Sequence, residues 1–329
     1  MNLPELNAFL TRSGLADAAA PRQWTPLTGG VSSDIWRVEV EGGQTLCVKR
    51  ALAQLKVAAE WKAPVSRNAF EWAWIQFAAE ILPNAVPRPL AHDAVAGLFA
   101  MQYLDPLNHR VWKQQLLDAQ VSAHTATSVG HAIGTLHQAS ANRADIAAAF
   151  DTTDSFHALR LEPYLLATAR RHAQLAPRLQ ELASRTATHR SALVHGDVSP
   201  KNILVGPQGA VLLDAECAWY GDPAFDMAFC LNHLVLKQFA VPAKSAELHS
   251  AFNAFVEAYF GAVHFEARAG LEARAAHLLP ALMLARIDGK SPVEYITQEQ
   301  ERERVRTFAA PLIMHPPADL KQLAVIWFK

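Results

Sequence analysis

The stretch Leu193 to Asp226, LVHGDVSPKNILVGPQGAVLLDAECAWYGDPAFD, restricts the fold more than any other part of the chain. Two short apolar runs, Ser191 to Val194 and Ile203 to Val205, bracket the loop HGDVSPKN. A turn at Gly206-Pro207-Gln208-Gly209 leads to a third run, AVLL, and Asp214 follows it closely. Runs this short with turn residues between them read as strands. Strand ends and one loop therefore hold an acid, an amide and a second acid: Asp197, Asn202 five residues later, and Asp214 twelve further on. Each alone is an ordinary turn or cap residue. Together they form a set that turn chemistry does not require.

Hard oxygen ligands suit Mg²⁺, which takes one or two carboxylates and fills its shell with phosphate oxygens and water. Asn202 and Asp214 are the candidate metal ligands, and Asp197 is left to accept a hydrogen bond from an attacking hydroxyl. Phosphoryl transfer needs little beyond metal ligands, charge compensation and a positioned hydroxyl.

Upstream, the alternating segments Ile35 to Glu41 and Gln44 to Arg50 flank Gly42-Gly43 and predict a hairpin whose two turn residues can adopt positive φ. Before it, Thr28 to Ser33 is a small-residue loop. Gly29, Gly30, Ser32 and Ser33 give its backbone N–H groups access to phosphate oxygens, although Gly pairs also mark ordinary turns. Period-two alternation sets Leu46 and Val48 on one strand face and Cys47 and Lys49 on the other. Lys49 is then either a solvated edge charge or a ligand-facing cation, with Cys47 beside whatever it binds.

Asn68 to Leu82 predicts a helix with a wide apolar surface, stopped by Pro83. Its Glu71 either points inward to a lysine or pairs with Arg67 one turn away; Glu60 and Glu80 are rival partners. Residues 1 to 27 read as a short amphipathic helix (Leu3, Leu6, Phe9, Leu10) and a proline-punctuated connection. Leu98 to Leu104 reads as a buried strand broken by Asp105-Pro106. Strands dominate before this break and helical patterns such as Gln120 to Ser140 after it, which divides the chain into 1–104 and 105–329. His131 and His137 in that helical pattern read as structural or solvated.

In order along the chain, TGGVSSDIW, LCVKR, Glu71 in its helix, AIGTLHQAS, LVHGDVSPKNIL, LLDAE and GDPAFDMAF resemble the aminoglycoside phosphotransferase-like family of small-molecule kinases, relatives of the protein kinases by fold. The resemblance runs from residue 28 to residue 230. It implies an α+β, bilobal protein-kinase-like fold: a small antiparallel-sheet nucleotide-binding lobe over 1–104 and a larger, mainly helical catalytic and acceptor-binding lobe over 105–329. ATP and Mg²⁺ are the implied cofactors. Asp197 would be the catalytic base or hydroxyl-orienting acid, and Asn202 and Asp214 the Mg²⁺ ligands. Lys49 would bind the α and β phosphates and be held by Glu71. Met101, Gln102 and Tyr103 would lie in the hinge, which runs to Leu104, and meet the adenine ring through backbone groups. Asp226 would support the catalytic loop.

The chain departs from kinase patterns in three places. The loop at 28–33 lacks the three glycines of protein kinases, Ser199 stands where many relatives carry His, and the metal acid sits in LLDAE rather than Asp-Phe-Gly. Lys201, four residues after Asp197, either compensates charge on the transferred group or is a solvated loop lysine. Arg286, Asp288 and Lys290 either line the acceptor pocket or pair on the surface; Trp219 and Tyr220 are further acceptor candidates, with buried packing the competing role for Trp219, and Glu216 is a candidate to support the metal or the substrate. Ser291, Pro292 and Glu294 predict a helix N-terminus with a capping box.

Thirty basic and thirty-one acidic residues leave a net charge of -1, which offers no footprint for nucleic acid or anionic membrane. Nor is there the acid excess that a polycationic aminoglycoside would favour. Three scattered cysteines without a CxxC pair fit a reducing cytoplasm. The early acids do not make a signal peptide, and no uncharged apolar run reaches the ~18 residues of a membrane span. The expected function is ATP- and Mg²⁺-dependent phosphoryl transfer to the hydroxyl of a small molecule. A sugar, amino alcohol or hydroxy amino acid derivative is favoured over an aminoglycoside-like acceptor. The alternative is a catalytically silent nucleotide-binding or scaffold protein of the same fold.

Overall fold

The computed structural model describes residues 3–27, 33–52 and 67–328. Gly29, Gly30 and Ser32 of the small-residue loop, and Glu60, lie outside the described residues. The chain forms two compact units, Met1–Asp105 and Pro106–Lys329.

In the first unit the alternating runs around Gly42-Gly43 pair antiparallel as β2 (Ser33–Val40) and β3 (Thr45–Ala51). Of the two glycines only Gly42 takes a left-handed φ, 70°. The strands β1 (Arg22–Leu27), β4 (Pro89–Asp93) and β5 (Leu98–Gln102) complete an antiparallel sheet in the order β1-β2-β3-β5-β4. The expected connection before the hairpin is thus partly an edge strand. Pro26 is compatible with it because an edge leaves one side of the strand without a ladder to feed.

Helix α1 (Leu3–Arg12) buries Leu6, Phe9 and Leu10 against Trp36, Val38, Leu46, Val48 and Leu98. Each such side chain contributes ~1.5–3 kcal/mol relative to exposure. The opposite face of β3 meets α2 (Arg67–Ile81), so both faces of this strand are covered. Strand β5 stops at the exposed Gln102 rather than Leu104, where its ladder with β3 ends at the Leu46–Gln102 pair.

The second unit begins with β6 (Arg110–Val111) and α3 (Trp112–Leu117), then α4 (Ala123–Ser140), whose N-cap Ser122 accepts from the Thr125 N–H. Next come α5 (Ala144–Ala149), α6 (Thr153–Phe156), a π-helical segment His157–Leu166 that accommodates Pro163, α7 (Ala167–Arg171) and α8 (Ala176–Thr188). The central stretch supplies β7 (Ala192–Val194), β8 (Ile203–Gly206), β9 (Gly209–Leu212) and a short β10 (Trp219–Gly221) that sequence patterning does not reveal. β7 pairs with β10, and β8 lies between β6 and β9. Helices α9 (Ala224–Ala240), α10 (Ser245–Ala262), α11 (Arg268–Asp288), α12 (Glu299–Met314) and α13 (Leu320–Trp327) follow.

The predicted helix start at Ser291 is not formed, and α12 begins only at Glu299. The capping groups have tertiary partners instead. Ser291 accepts from Arg286 Nη1 through its hydroxyl, and Glu294 pairs with Lys113 at 2.5 Å. No helix among the described residues is long and apolar enough to cross a membrane.

Helices α4 and α10 approach closely because α4 presents Gly130 and Gly134. A Cβ at Gly130 would collide with the Phe255 carbonyl, and one at Gly134 would lie 2.7 Å from the Tyr259 carbonyl. The substitution Gly130→Ala is expected to lower stability by about 1–3 kcal/mol through overpacking, measured as the shift in urea-denaturation midpoint.

Candidate active site

Lys49 and Glu71 meet in the first unit, Nζ to Oε1 at 2.7 Å, with both side chains almost wholly buried. Breaking a buried pair of this kind costs about 3–5 kcal/mol. Glu80 is exposed on α2. Burial pushes the Cys47 thiol up to about 12, with the Lys49 cation opposing and the Glu71 carboxylate adding to the rise. Cys47 stands opposite Met101 in the β3–β5 ladder. Met101 is buried, and the Gln102 N–H is committed to the Arg88 carbonyl at 2.9 Å. Tyr103 lies beneath the Arg37 guanidinium, 5.2 Å from its carbon to the ring centroid. Ser33 is buried at the start of β2.

In the second unit the loop between β7 and β8 is held from below by one carboxylate. Asp226 accepts the His195 N–H at 2.7 Å on Oδ2 and the Gly196 N–H at 2.8 Å on Oδ1. His137 Nε2 donates to the same Oδ2 at 3.2 Å, and the Tyr259 hydroxyl donates to His137 Nδ1 at 2.9 Å. His137 is therefore structural. Gly196 has φ of 77°, and a Cβ there would lie 2.5 Å from the Cys217 carbonyl, so the turn needs glycine on both counts. His195 Nε2 donates to the Leu213 carbonyl at 3.1 Å and Nδ1 accepts the Asp197 N–H at 3.2 Å, a pattern that requires the neutral ring. Burial lowers its pKa in the same sense.

Asn202 and Asp214 are brought together by strand register. β8 and β9 pair Ile203 with Leu212, and one step outward the Leu213 N–H donates to the Asn202 carbonyl at 2.9 Å. Asp214 then turns with φ of 66°. A non-glycine residue in this region carries local strain of ~1–3 kcal/mol, a feature that clusters at functional sites. The Asn202 Nδ2 donates to the Asp197 carbonyl at 3.2 Å, which leaves the amide oxygen as its acceptor group.

The Asp197 carboxylate is buried and faces two cations, Arg160 Nη2 at 2.9 Å and Lys201 Nζ at 3.3 Å. Burial would raise its pKa, but the Lys201 and Arg160 charges overcome that and hold it well below the ordinary carboxylate range. Lys201 is half-exposed yet paired, not a free loop lysine. Ser199 is fully buried, and its hydroxyl has no hydrogen-bond partner among the described residues.

Arg160 is the participant that sequence reasoning missed. It sits in the π-helical segment, donates from Nε to the Gly196 carbonyl and from Nη1 to Leu159, and so ties both the backbone and the acid of the loop. The available signal was a single Arg in the apolar run LRLEPYLL. Trp219 and Tyr220 are core residues: Trp219 stacks on Phe156 at 4.2 Å, and the Tyr220 hydroxyl donates to the Ser191 carbonyl. Asp288 is held by His172 and Arg306, and Lys290 by Glu162.

Among the described residues no group of three or more His, Cys, Asp or Glu could hold a metal alone. One carboxylate and one amide oxygen instead suit a divalent cation whose shell phosphate and water complete.

The profile of the phosphotransferase enzyme family matches residues 23–271 of the 329, and the chain belongs to that family. Methylthioribose kinase from Escherichia coli O45:K1 (strain S88 / ExPEC) is 25% identical over 242 residues, covering 63% of this chain and 56% of the relative. Methylthioribose kinase 1 from Oryza sativa subsp. japonica is 24% identical over 226 residues, covering 60% and 52%. The chain thus matches little more than half the length of these relatives. Among solved structures, a choline/ethanolamine kinase family protein from Mesorhizobium loti superposes with a TM-score of 0.54 at 16% identity, covering 100% of both chains. At such identity the likeness is one of fold, and it bears out the α+β, bilobal, protein-kinase-like architecture.

Asp226→Asn replaces an acceptor by an amide that faces N–H donors. It is expected to lower stability by about 1–3 kcal/mol, read by chemical denaturation.

Proposed function

We propose that the chain is an ATP- and Mg²⁺-dependent phosphotransferase that moves the γ-phosphoryl group to a hydroxyl of a small molecule. The observation that carries this reading is the Asp197 carboxylate, kept ionised between Arg160 and Lys201 beside the Asn202 and Asp214 donors. Membership of the phosphotransferase family and the small-molecule kinases among its relatives support it. In this reading the first unit serves nucleotide binding, with Lys49 on the phosphates, oriented by Glu71, and the backbone from Met101 to Tyr103 toward the base. The second unit serves catalysis and the acceptor. Bound by Asn202 and Asp214, Mg²⁺ would supply charge neutralisation and orientation at the phosphate oxygens.

Transfer forms one O–P bond to the acceptor and breaks the bond from the γ phosphorus to the bridging oxygen, ADP leaving with the electron pair. A carboxylate as acidic as Asp197 is a weak base. It therefore orients the hydroxyl by a hydrogen bond and takes its proton only once the O–P bond is largely formed, as a loose transition state permits. Lys201, already on the Asp197 carboxylate, compensates charge on the group in flight.

A mass-spectrometric screen with ATP, Mg²⁺ and a panel of hydroxyl metabolites is expected to show a product 80 Da heavier than its acceptor, the mass of the transferred PO₃H unit, on the order of one phosphoryl group per turnover. Asp197→Asn should lower kcat by on the order of 10²–10⁴ with nucleotide affinity retained; undiminished turnover rejects the assigned role. Asp214→Ala should abolish the Mg²⁺-dependent part of nucleotide affinity in equilibrium titration. Nucleotide binding with no transfer to any acceptor would favour the silent alternative.

The pH profile gives a further check. Asp197 has a depressed pKa in the folded chain, so it binds fewer protons than in the unfolded one as pH falls through the ordinary carboxylate range. Its stabilising effect is full above that range and is lost below it. The kcat/KM profile should accordingly show no acid limb from Asp197 down to about pH 4.

A further inference from the structure

Asp226 opens a face of α9 that returns at Phe229, His233 and Lys237, spacings of three and four residues that keep all four on one side. The face starts under the loop that carries Asp197. Phe229 lies 5.7 Å from the guanidinium of Arg160, the partner of Asp197, and His233 meets the Phe229 ring edge-on at 5.6 Å. One turn further, Lys237 is 1% exposed and sets its Nζ 3.7 Å from the Tyr295 ring centroid.

This corner holds polar groups that the fold leaves unanswered. Among the described residues Lys237 makes no ion pair with a carboxylate, and neither ring nitrogen of His233 has a hydrogen-bond partner. The Tyr295 hydroxyl is buried without a partner, as is the Arg286 Nε, although Arg286 Nη1 reaches Ser291 and the Tyr164 hydroxyl. The nearby carboxylate, Glu294, is already paired with Lys113 at 2.5 Å. Lys237 and Arg286 therefore contribute positive charge that this pair does not cancel. Burial pushes the Lys237 pKa down to about 7, with Glu294 opposing and Lys113 and Arg286 adding to the fall. An ammonium enclosed without a counter-charge is unfavourable, and an arriving anion relieves it.

We propose that Lys237 and Arg286, with His233 and Tyr295 as hydrogen-bonding neighbours, bind an anionic group of the acceptor, a carboxylate or a phosphate. Its assignment to the acceptor rests on the phosphotransferase reading, whereas the anion site itself can be measured without nucleotide. A site of this sign selects hydroxy acids or hydroxyl-bearing phosphate esters and rejects quaternary amines and polycations.

Calorimetric titration of the full chain without nucleotide, with glycerate and glycerol 3-phosphate as probes and glycerol and choline as neutral and cationic counterparts, tests this. At least one anion should bind and neither counterpart should; the two anions separate carboxylate from phosphate recognition. Lys237→Met should weaken that binding about tenfold to a hundredfold, while Lys321→Met, which removes an exposed charge from α13, should leave it unchanged. At pH 8 binding to the wild-type chain should take up a proton as the anion draws the Lys237 pKa upward, an uptake absent in Lys237→Met. Far-UV circular dichroism and the urea midpoint establish that each variant is folded. No binding of either anion, binding of choline or glycerol in their place, or equal anion affinity in a folded Lys237→Met overturns the proposal. Anion binding without transfer to any acceptor would reject the enzymatic reading alone, and transfer unaffected by Lys237→Met would reject the site alone.

Discussion

The Asp226 carboxylate, buried at the start of α9, is the acceptor on which the loop of Asp197 hangs. Two consecutive backbone N–H groups, from His195 and Gly196, point at its two oxygens. Without that acceptor both donors would be buried and unanswered. The carboxylate is in turn fixed by His137 of α4, whose ring is fixed by Tyr259 of α10. Tyr259 can come that near because Gly134, one turn before His137, presents no Cβ to its backbone. The packing of α4 on α10 thus helps determine where the loop of Asp197 stands.

The first unit solves a different problem, a lysine inside a sheet. β3 gives its even-numbered face, Leu46 and Val48, to the core under α1 and its odd-numbered face, Cys47 and Lys49, to α2. An ammonium covered in this way requires a carboxylate, and Glu71 provides it from the helix that does the covering. Burial on the same face raises the pKa of Cys47.

What could be read directly from the sequence was what local chemistry decides. Turn residues and alternation gave the hairpin and the short strands around HGDVSPKN, and strong helix formers ending at Pro83 gave the helix that carries Glu71, because each depends on neighbours within a few positions. The Asn202–Asp214 juxtaposition followed from the same strand lengths. Arg160 was not legible: it reaches Asp197 across 37 residues of sequence from a π-helical segment, and nothing in its own neighbourhood announces the partner. The Ser291 cap failed for the converse reason. Its local signal was sound, but Arg286 and Lys113 took the capping groups through tertiary contacts. β10 escaped because three residues are too few to show a period, and its pairing with β7 is long-range.

The left-handed backbone of Asp214 is one that glycine adopts without strain. Gly at position 214 would relax that backbone, worth roughly 1 kcal/mol by itself, but would delete the carboxylate together with its electrostatic contacts to Lys201 and His195. The aspartate therefore marks a position where a relaxed backbone and a carboxylate cannot both be had.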